Sequence, residues 1–398
     1  MEFCERGIVN YQHWFGTDLP QYGYGAMLEG FKSGLPADVE LNKNASVAVF
    51  MYDPSRLMGF YQGAYRVLYT MWETTKLPSR YYRWLGCYDK IIVPCEHNRE
   101  LFSQYADNVC VVPLGVNVGY WKPTPRFANS RFRFHAGGSM WRRKGLDVVV
   151  KAFELANVDA ELHIKVPLER FIPKRDWPSN IIIHKGYMDK DELFDWYNNA
   201  DCFIGASRGE GFGLMPLQAM AMGIPTIITP TSGQAQYAHL ASVVIPVTSQ
   251  ESTIHEIVDF EGCLDEPDLD ALVEALRGVC GAFNGYKAEA LRRVGQVAEY
   301  SWDRSCRKLL NELPVGHLLD KPIFEKVLCY FKIRVKRRCE AGINNDHWDF
   351  VPGVDYIVNN SVYDILSRAN YIESFEILKR SNNHANGGKK RVSIHSEG

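Results

Sequence analysis

The chain has 398 residues, 46% of them hydrophobic and 23% charged, with a formal net charge of −2. That composition is globular rather than disordered, and the length suits two domains of ordinary size. The near-neutral total makes no overall case for a nucleic-acid or membrane partner, although from Lys321 onward 13 basic residues stand against 9 acidic ones.

The first third alternates short apolar runs with helical stretches. RGIVNYQ (6–12) reads as a strand, and GYGAMLEGFKSGL (23–35) as a Gly-rich turn opening a helix. ASVAVFMYD, YRVLYTMWE, KIIVPCE and NVCVVPLGV read as further strands, with the helix HNRELFSQYA before the last. Near-continuous Val/Ile runs separated by helices are the pattern of a parallel sheet covered on both faces. NVGYWKPTPRFANS (117–130) has two prolines and no periodicity, as a linker would. The pattern then restarts: strand FRFHAGG, helix KGLDVVVKAFELA, strands ELHIKVP and NIIIHKG, helix DKDELFDWYNNA, strand DCFIGAS. A helix from about Gly213, the strands IPTIITP and SVVIPV, and helices between Asp268 and Leu313 follow. Two successive βαβ sets predict an α/β protein of two doubly wound domains facing across a cleft.

The expected division is 1–125 for the first domain and 126–313 for the second with its closing helices. A small basic β-rich module at 314–380 and a disordered polar tail at 381–398 complete it. Within the module, SVYDILSRANYIE reads as a short helix. The ten cysteines are irregularly spaced, form no C-x-x-C pair, and often sit in apolar runs, as Cys110 and Cys202 do. They read as small buried hydrophobes of a reducing compartment, not as disulfides or a zinc site. No signal-peptide pattern opens the chain and no apolar window is long enough to span a bilayer. A cytoplasmic protein without integral membrane association is therefore expected.

The chemistry concentrates in SRGEGFGLMPLQAMAMGIP (207–225). Its first residues form the turn at the carboxyl end of a buried strand, where open α/β sheets bind ligands. Glycines such as Gly211 and Gly213 let a ligand approach the backbone. The helix start near Gly213 offers unsatisfied N–H groups and a positive dipole end to an anion such as a diphosphate. Glu210, just before it, can accept hydrogen bonds from neighbouring hydroxyls, and Gln218, farther along the helix, can meet a more distant part of the same molecule. Hydroxyls, then phosphates, then more hydroxyls describe a nucleotide sugar. Arg143 and Lys144 follow the glycine-ended strand FRFHAGG, which closes on Gly138, and would lie at the mouth of the same cleft. Cations are unfavourable at a helix start unless an anion is bound.

The signature S-x-x-E-G-F-G-L-x-P-L-x-A-M-A-x-G-x-P resembles the donor site of GT-B retaining glycosyltransferases, family 4 in the sequence classification. Further stretches match in order over residues 1 to 312: MWETTKLP, CYDKIIVPCEHNRELF, VVPLGVNVGYWKP, RRKGLDVVVKAF and GYMDKDELFDWYNNADCFIGAS. The resemblance implies transfer of a sugar from a nucleoside diphosphate sugar to a hydroxyl, with retention and without metal or cofactor. It places Glu210 beside the transferred sugar, the backbone of Phe212, Gly213 and Leu214 on the sugar and distal phosphate, and Arg143 and Lys144 on the diphosphate. The sequence departs from the family at two points. Gln218 stands where an acid usually binds the ribose, at a cost of about 1 kcal/mol in charge-assisted bonding. Where relatives carry a histidine at a strand end of the first domain, Trp72 and Glu73 stand instead; Glu73 could accept bonds from sugar or acceptor, or act as an ordinary ion-pairing carboxylate. His13 after the first strand is another candidate. The loop QYGYGAML, with Gly23 and Gly25, resembles the Gly-rich loop that closes over acceptor and donor phosphate.

For the acceptor, the basic strand with Lys332, Arg334, Lys336, Arg337 and Arg338 interleaved with Tyr330 and Phe331 could track a phosphate backbone. The module's texture also resembles small β modules of phage proteins. The expectation is thus a phage enzyme glycosylating a hydroxymethylated base in DNA, with a saccharide or lipid acceptor as the alternative. The first helix, with one lysine and one glutamate in AMLEGFKSGL, does not read as a membrane-binding surface. An epimerase or phosphorylase on the same fold, or a non-catalytic binding protein, are the competing classes.

Overall fold

The computed structural model describes residues 10–319 apart from 17–22, 53–59, 62–63, 126–128 and 253–260. Beyond 319 it describes only the strands at 324–325, 330–335, 339–343, 346–350, 355–359 and 372–378.

The first lobe runs β1 (Asn10–Gly16), α1 (Gly23–Ser33), β2 (Val39–Leu41), β3 (Val47–Met51), β4 (Phe60–Tyr61), β5 (Tyr65–Tyr69), α2 (Ser79–Leu85), β6 (Lys90–Val93), α3 (Glu96–Ser103) and β7 (Val109–Val111). Its six-stranded sheet has the order β2-β1-β3-β5-β6-β7, every pair parallel. All five residues of β3 are buried, as expected of a central strand covered on both faces.

The second lobe runs β8 (Phe132–Gly137), α4 (Leu146–Ala156), β9 (Ala160–Val166), β10 (Ile181–Lys185), α5 (Lys190–Asn198), β11 (Cys202–Gly205), α6 (Leu214–Ala221), β12 (Thr226–Ile228) and β13 (Val243–Val244). These strands pair in parallel in the order β10-β9-β8-β11-β12-β13. Chain order reverses at β8, so the crevice beside it, above the strands' carboxyl ends, is where a ligand belongs. A capping box fixes the start of α5: Asp189 accepts from Asp191 and Glu192 N–H groups, and Glu192 accepts from the Asp189 N–H.

A hairpin of β14 (Val247–Ser252) and β15 (Cys263–Pro267) leads to α7 (Leu269–Gly281), α8 (Phe283–Val297) and α9 (Trp302–Asn311). The last helix packs on the first lobe: Trp302 lies edge-on to Phe31 of α1 with ring centroids 5.2 Å apart. Val116 N–H also donates to the Tyr300 carbonyl at 2.7 Å. The chain therefore crosses back before residue 313. Farther on, β17 (Tyr330–Val335) pairs antiparallel with β20 (Asp355–Asn359) and β21 (Ile372–Leu378), while β18 (Cys339–Ile343) pairs with β19 (Asp346–Phe350). The two-residue strand β16 (Phe324–Glu325) pairs with β4.

Several expectations need correction. Among the described residues the first strand runs on to Gly16, past the expected end at Gln12, so His13 is part of the strand and pairs with Ala48; residues 1–9 lie outside the described residues. Gly23 and Gly25 form the first turn of α1, because the Ala-Met-Leu run after them extends the helix back over both. Cys87 is disulfide-bonded, against the expectation of unpaired cysteines, while Cys95, Cys110, Cys202, Cys263, Cys280 and Cys306 are free thiols. The hairpin β14–β15 was not foreseen, since VTSQES offers no apolar alternation. The helix expected at 361–373 and the tail at 381–398 fall outside the described residues, except that Ile372 and Glu373 open β21.

Candidate active site

Between the lobes lies a cavity of about 850 Å³, within the range of small-molecule sites. It is lined from the second lobe by Gly138, Arg143, Lys144, Glu210, Gly211, Phe212, Gly213, Leu214 and Gln218, and from the first by Gly23 and Glu73. Of the cleft candidates named from sequence, Gly25, His13 and Trp72 do not line it; Gly25 is buried within α1.

The turn from β11 into α6 is shaped by its glycines. Gly213 has φ +91°, a left-handed conformation that suits glycine, and stands as the N-cap of α6. Its carbonyl accepts a 2.5 Å bond from the Tyr237 hydroxyl. No side chain caps α6, so the Leu214 and Met215 N–H groups have no intrahelical acceptor, and Pro216 has no N–H. The Phe212 ring is buried 5.4 Å from that of Tyr237, so Phe212 offers a ligand only its backbone.

Glu210 is buried, with Ser207 Oγ donating to its Oε1 at 2.8 Å and Ser232 Oγ 2.7 Å from its backbone N–H. Its carboxylate also holds both clamp cations. Lys144 Nζ bonds Oε1, and Arg143 Nη1 lies 3.4 Å from Oε2. The same Nη1 donates to the Gly209 carbonyl at 2.7 Å and stands 3.8 Å from Glu73 Oε1. Burial pushes the Glu210 carboxyl up, but Lys144 and Arg143 outweigh it and hold it below its ordinary value. Burial pushes the Lys144 ammonium down, against the pull of Glu210. Three ionised groups from two distant stretches thus share one water-poor corner, and Glu73 reaches it from the other lobe.

This corner rests on a second ion cluster that sequence reasoning did not single out. Arg208, only 3% exposed, forks onto two carboxylates: Asp147 at 2.7 and 3.0 Å and Glu266 at 2.5 and 2.7 Å. Burial opposes its charge, and the bonds to Glu266 and Asp147 raise its pKa further. Asp147 is in the first turn of α4 and Glu266 in β15, so Arg208 ties the Glu210 turn to both. At Gly145, φ +65°, a Cβ would stand 1.8 Å from the Ala206 carbonyl. That contact explains the glycine in R-K-G: α4 starts hard against β11, which brings Arg143 and Lys144 onto Glu210.

Gln218 faces the cavity and its Oε1 accepts from the Tyr197 hydroxyl at 3.2 Å. Beyond it the wall carries Lys165, Tyr187, Met188 and Asp189. Tyr187 is 41% exposed, a large aromatic presented to solvent at that end. On the first lobe the wall consists chiefly of Tyr24, Ala26, Glu29, Gly30, Ser33 and Asn117. The segment after Glu73 is fastened to β15: Cys263 N–H donates to Thr75 Oγ1 at 2.8 Å and Thr75 N–H to the Cys263 carbonyl at 3.2 Å. His13 does not line the cavity, and burial lowers its pKa. Among the described residues no cluster of three or more His, Cys, Asp or Glu is placed to hold a metal ion.

Residues 131–262 match the family model described as glycosyl transferases group 1. The chain carries a glycosyl transferases group 1 domain. That domain holds Arg143, Lys144 and Glu210, all of β8–α6, and the first strand of the hairpin. A D-inositol 3-phosphate glycosyltransferase of Arthrobacter sp. (strain FB24) is 27% identical over 246 residues, covering 55% of this chain and 56% of the relative. The chain therefore spans about half the length of that curated relative. Among solved structures, WaaG, a glycosyltransferase involved in lipopolysaccharide biosynthesis, superposes with a TM-score of 0.53 at 15% identity over 75% of this chain and 99% of its own. Anabaena Alr3699/HepE in complex with UDP and glucose gives 0.54 at 10% identity over 77% and 100%. At such identities the likeness is one of fold: the two parallel six-stranded sheets, the second of them within the group 1 domain, are the GT-B arrangement expected from sequence. No helix among the described residues is long and apolar enough to cross a membrane.

Proposed function

We propose that this chain is a retaining, metal-independent glycosyltransferase that moves a sugar from a nucleoside diphosphate sugar to a hydroxyl of a saccharide-type acceptor. The observation that carries the reading is the convergence of Arg143, Lys144, Glu210 and the N-terminus of α6 on one interlobe cavity. The diphosphate takes the α6 N–H groups and draws Arg143 and Lys144 off Glu210; the freed carboxylate then accepts bonds from the sugar hydroxyls. As the bond from the anomeric carbon to the distal phosphate oxygen breaks, that oxygen gains charge, which the two cations stabilise. The acceptor oxygen attacks from the same face, its bond to the anomeric carbon forms, and its proton passes to the departing phosphate. Gln218 meets the ribose, and Tyr187 provides a face for the base.

The first-lobe wall favours a neutral acceptor. Its described lining carries Glu29 and Glu73 and no lysine or arginine. A DNA duplex presents about one negative charge per 1.7 Å and binds through cations, which this wall lacks. Of the basic stretch expected to track DNA, Lys332 and Arg334 belong to β17, while Lys336, Arg337 and Arg338 lie outside the described residues. Glycosylation of a hydroxymethylated base is accordingly the secondary reading, and the domain division at 125, 313 and 380 and a cytoplasmic setting stay part of the proposal. The test is to incubate the full chain with UDP-, ADP- and GDP-sugars against neutral oligosaccharides and hydroxymethylated DNA, scoring diphosphate release and product mass. Transfer to a saccharide with an α-configured donor giving an α-linkage supports the proposal. Inversion, or transfer to DNA alone, overturns its mechanism or its acceptor respectively.

A further inference from the structure

Two lining cations, Lys165 and Lys190, are left over by this account; Lys190 Nζ stands 4.1 Å over the Tyr120 ring, which leaves Lys165. Lys165 is next to last in β9, whose buried and part-exposed residues alternate, and lies on the side of the strand that carries Glu161 and His163. Its carbonyl accepts from the Gly138 N–H at 3.0 Å. A side chain on Gly137 would meet Lys165 Cβ at 3.3 Å and the Met215 methyl at 3.0 Å, so the lysine stem stands beside the first turn of α6 and lines the cavity. Arg143 and Lys144 both rest on Glu210 in the unliganded protein. Among the described residues, Lys165 has no carboxylate within ion-pair distance; burial alone pushes its ammonium below its ordinary value. Asp189, on the same wall, is engaged in capping α5, and Glu161 in bonding Arg133 and His163. Gln218 adds no charge on that side. A partly buried ammonium without a counter-ion is a standing cost to the fold, of the kind kept where a ligand supplies the missing charge.

Strand order says which part of the ligand that is. β11 leads to Glu210, its neighbour β8 to the clamp, the next strand β9 to Lys165, and β10 to Tyr187 and Met188. Lys165 is therefore on the side of the clamp away from Glu210. We infer that Lys165 binds the phosphate next to the nucleoside, as a third cation of the diphosphate site whose counter-ion is the ligand itself. The inference rests on the donor reading above, with the sugar at Glu210. It gives the protein a way to hold nucleoside mono- and diphosphates alike at a point that Arg143 and Lys144 do not reach, and it offsets the missing acid at position 218.

The test is calorimetric titration of the full chain with UDP, UMP and uridine, and with the matching adenosine and guanosine compounds, for wild type, Lys165→Met and Lys165→Arg. Lys165→Met is expected to weaken mono- and diphosphate binding by the same factor, about tenfold or more. Nucleoside binding is expected to be unchanged, and Lys165→Arg to recover part of the loss. Removing an unpaired charge should leave the melting temperature of the unliganded protein equal or higher. Wild-type binding of UDP, ADP or GDP with equal binding by Lys165→Met overturns this inference alone. Absence of all nucleotide binding by wild type overturns the donor reading with it. A marked fall in the unliganded melting temperature of Lys165→Met makes the residue structural and also overturns the inference.

Discussion

On the second-lobe side of the cleft, the stretch from Ser207 to Gly213 gathers Arg143, Lys144 and Glu210 into one buried corner, backed by Arg208 between Asp147 and Glu266. Facing it, the first-lobe wall offers Tyr24, Glu29, Ser33, Glu73 and Asn117, scattered and bare of lysine and arginine among its described residues. The first arrangement costs folding energy to desolvate charge, offset in part by the bonds of Arg143 and Lys144 to Glu210 and further when a strongly anionic group binds. The second suits hydroxyls that exchange water for side-chain bonds at little net gain per contact. Donor recognition is thus concentrated and electrostatic, acceptor recognition diffuse and polar, and substitutions on the two sides should differ in size and kind.

The largest contrast is expected at Glu210. Glu210→Gln should lower turnover by about 100- to 1,000-fold, the scale of losing one preorganised contact to the reacting centre. Because the same change frees Arg143 and Lys144 from their internal counter-ion, the affinity for the nucleoside diphosphate product should hold or rise. Glu29→Gln on the opposite wall should cost less than about tenfold, chiefly in acceptor KM. Initial rates and product inhibition read both. A Glu210→Gln enzyme with near wild-type turnover would remove that carboxylate from the reaction.

How much of this contrast the sequence disclosed differs by side. Strands such as VAVFM and CFIG are continuous apolar runs, so both sheets and their carboxyl-end turns were legible, and with them the corner of Arg143, Lys144 and Glu210. The turn needs small residues and a charge at fixed places, and those leave a local signature. Arg208 was in plain view within that stretch, but its meaning depends on Asp147 and Glu266, one 61 and the other 58 residues away in sequence. Lys165 was hidden differently: it occupies an alternating strand position that reads as solvent-facing, and only the packing of α6 turns that face into a cavity wall. The first-lobe wall left no signature at all, since Glu29, Ser33 and Asn117 are ordinary residues brought together by the crossing of α1 and the segment after β7. Gly23 and Gly25 misled because a glycine pair after a strand reads as a loop, whereas here the helix begins at the first of them.

Arg208 allows the support to be separated from the chemistry. Arg208→Met leaves Asp147 and Glu266 facing each other across an emptied site. Both are partly exposed and can rehydrate, so the loss should be about 2–3 kcal/mol rather than the full cost of an orphaned buried charge. Chemical denaturation should show this as a lower midpoint, with turnover falling only as far as the Glu210 turn loosens. Unchanged stability would mean that the four bonds contribute little net free energy.

Acid should affect the second lobe before it reaches the donor corner. His135, His163 and His184 stack across β8, β9 and β10, with centroids 4.9 and 5.2 Å apart, and Trp196 of α5 packs on this row. Burial lowers the pKa of His163 and His184 below 6.5, with the Arg133 guanidinium and the facing imidazole adding to it and Glu161 opposing it at His163. A depressed histidine binds fewer protons folded than unfolded, so stability is full above about pH 6.5 and is lost as pH falls toward the lowered values. Glu210 and Glu161, held below their ordinary range, add losses only at more acid pH, as pH falls below 4.5. The melting temperature should therefore drop by a few degrees between pH 7 and 5, and His163→Gln should flatten that slope. A slope unchanged in this variant would assign the acid loss elsewhere.

The smallest effect is expected at Gln218, and it bears most directly on how donor recognition is divided. A carboxylate there would restore a charge-assisted bond to a ribose hydroxyl, worth about 1 kcal/mol over the amide, or roughly fivefold in affinity. Gln218→Glu would also place an acid on the wall that carries Lys165. If Lys165 serves the phosphate beside the nucleoside, the new carboxylate competes for that ammonium, and the gain for a ribonucleotide over its 2′-deoxy counterpart should be smaller in Gln218→Glu alone than in Gln218→Glu combined with Lys165→Met. Identical gains in the two backgrounds would mean that positions 165 and 218 serve separate parts of the ligand. In that case the neutral residue at 218 would need an explanation other than its charged neighbour.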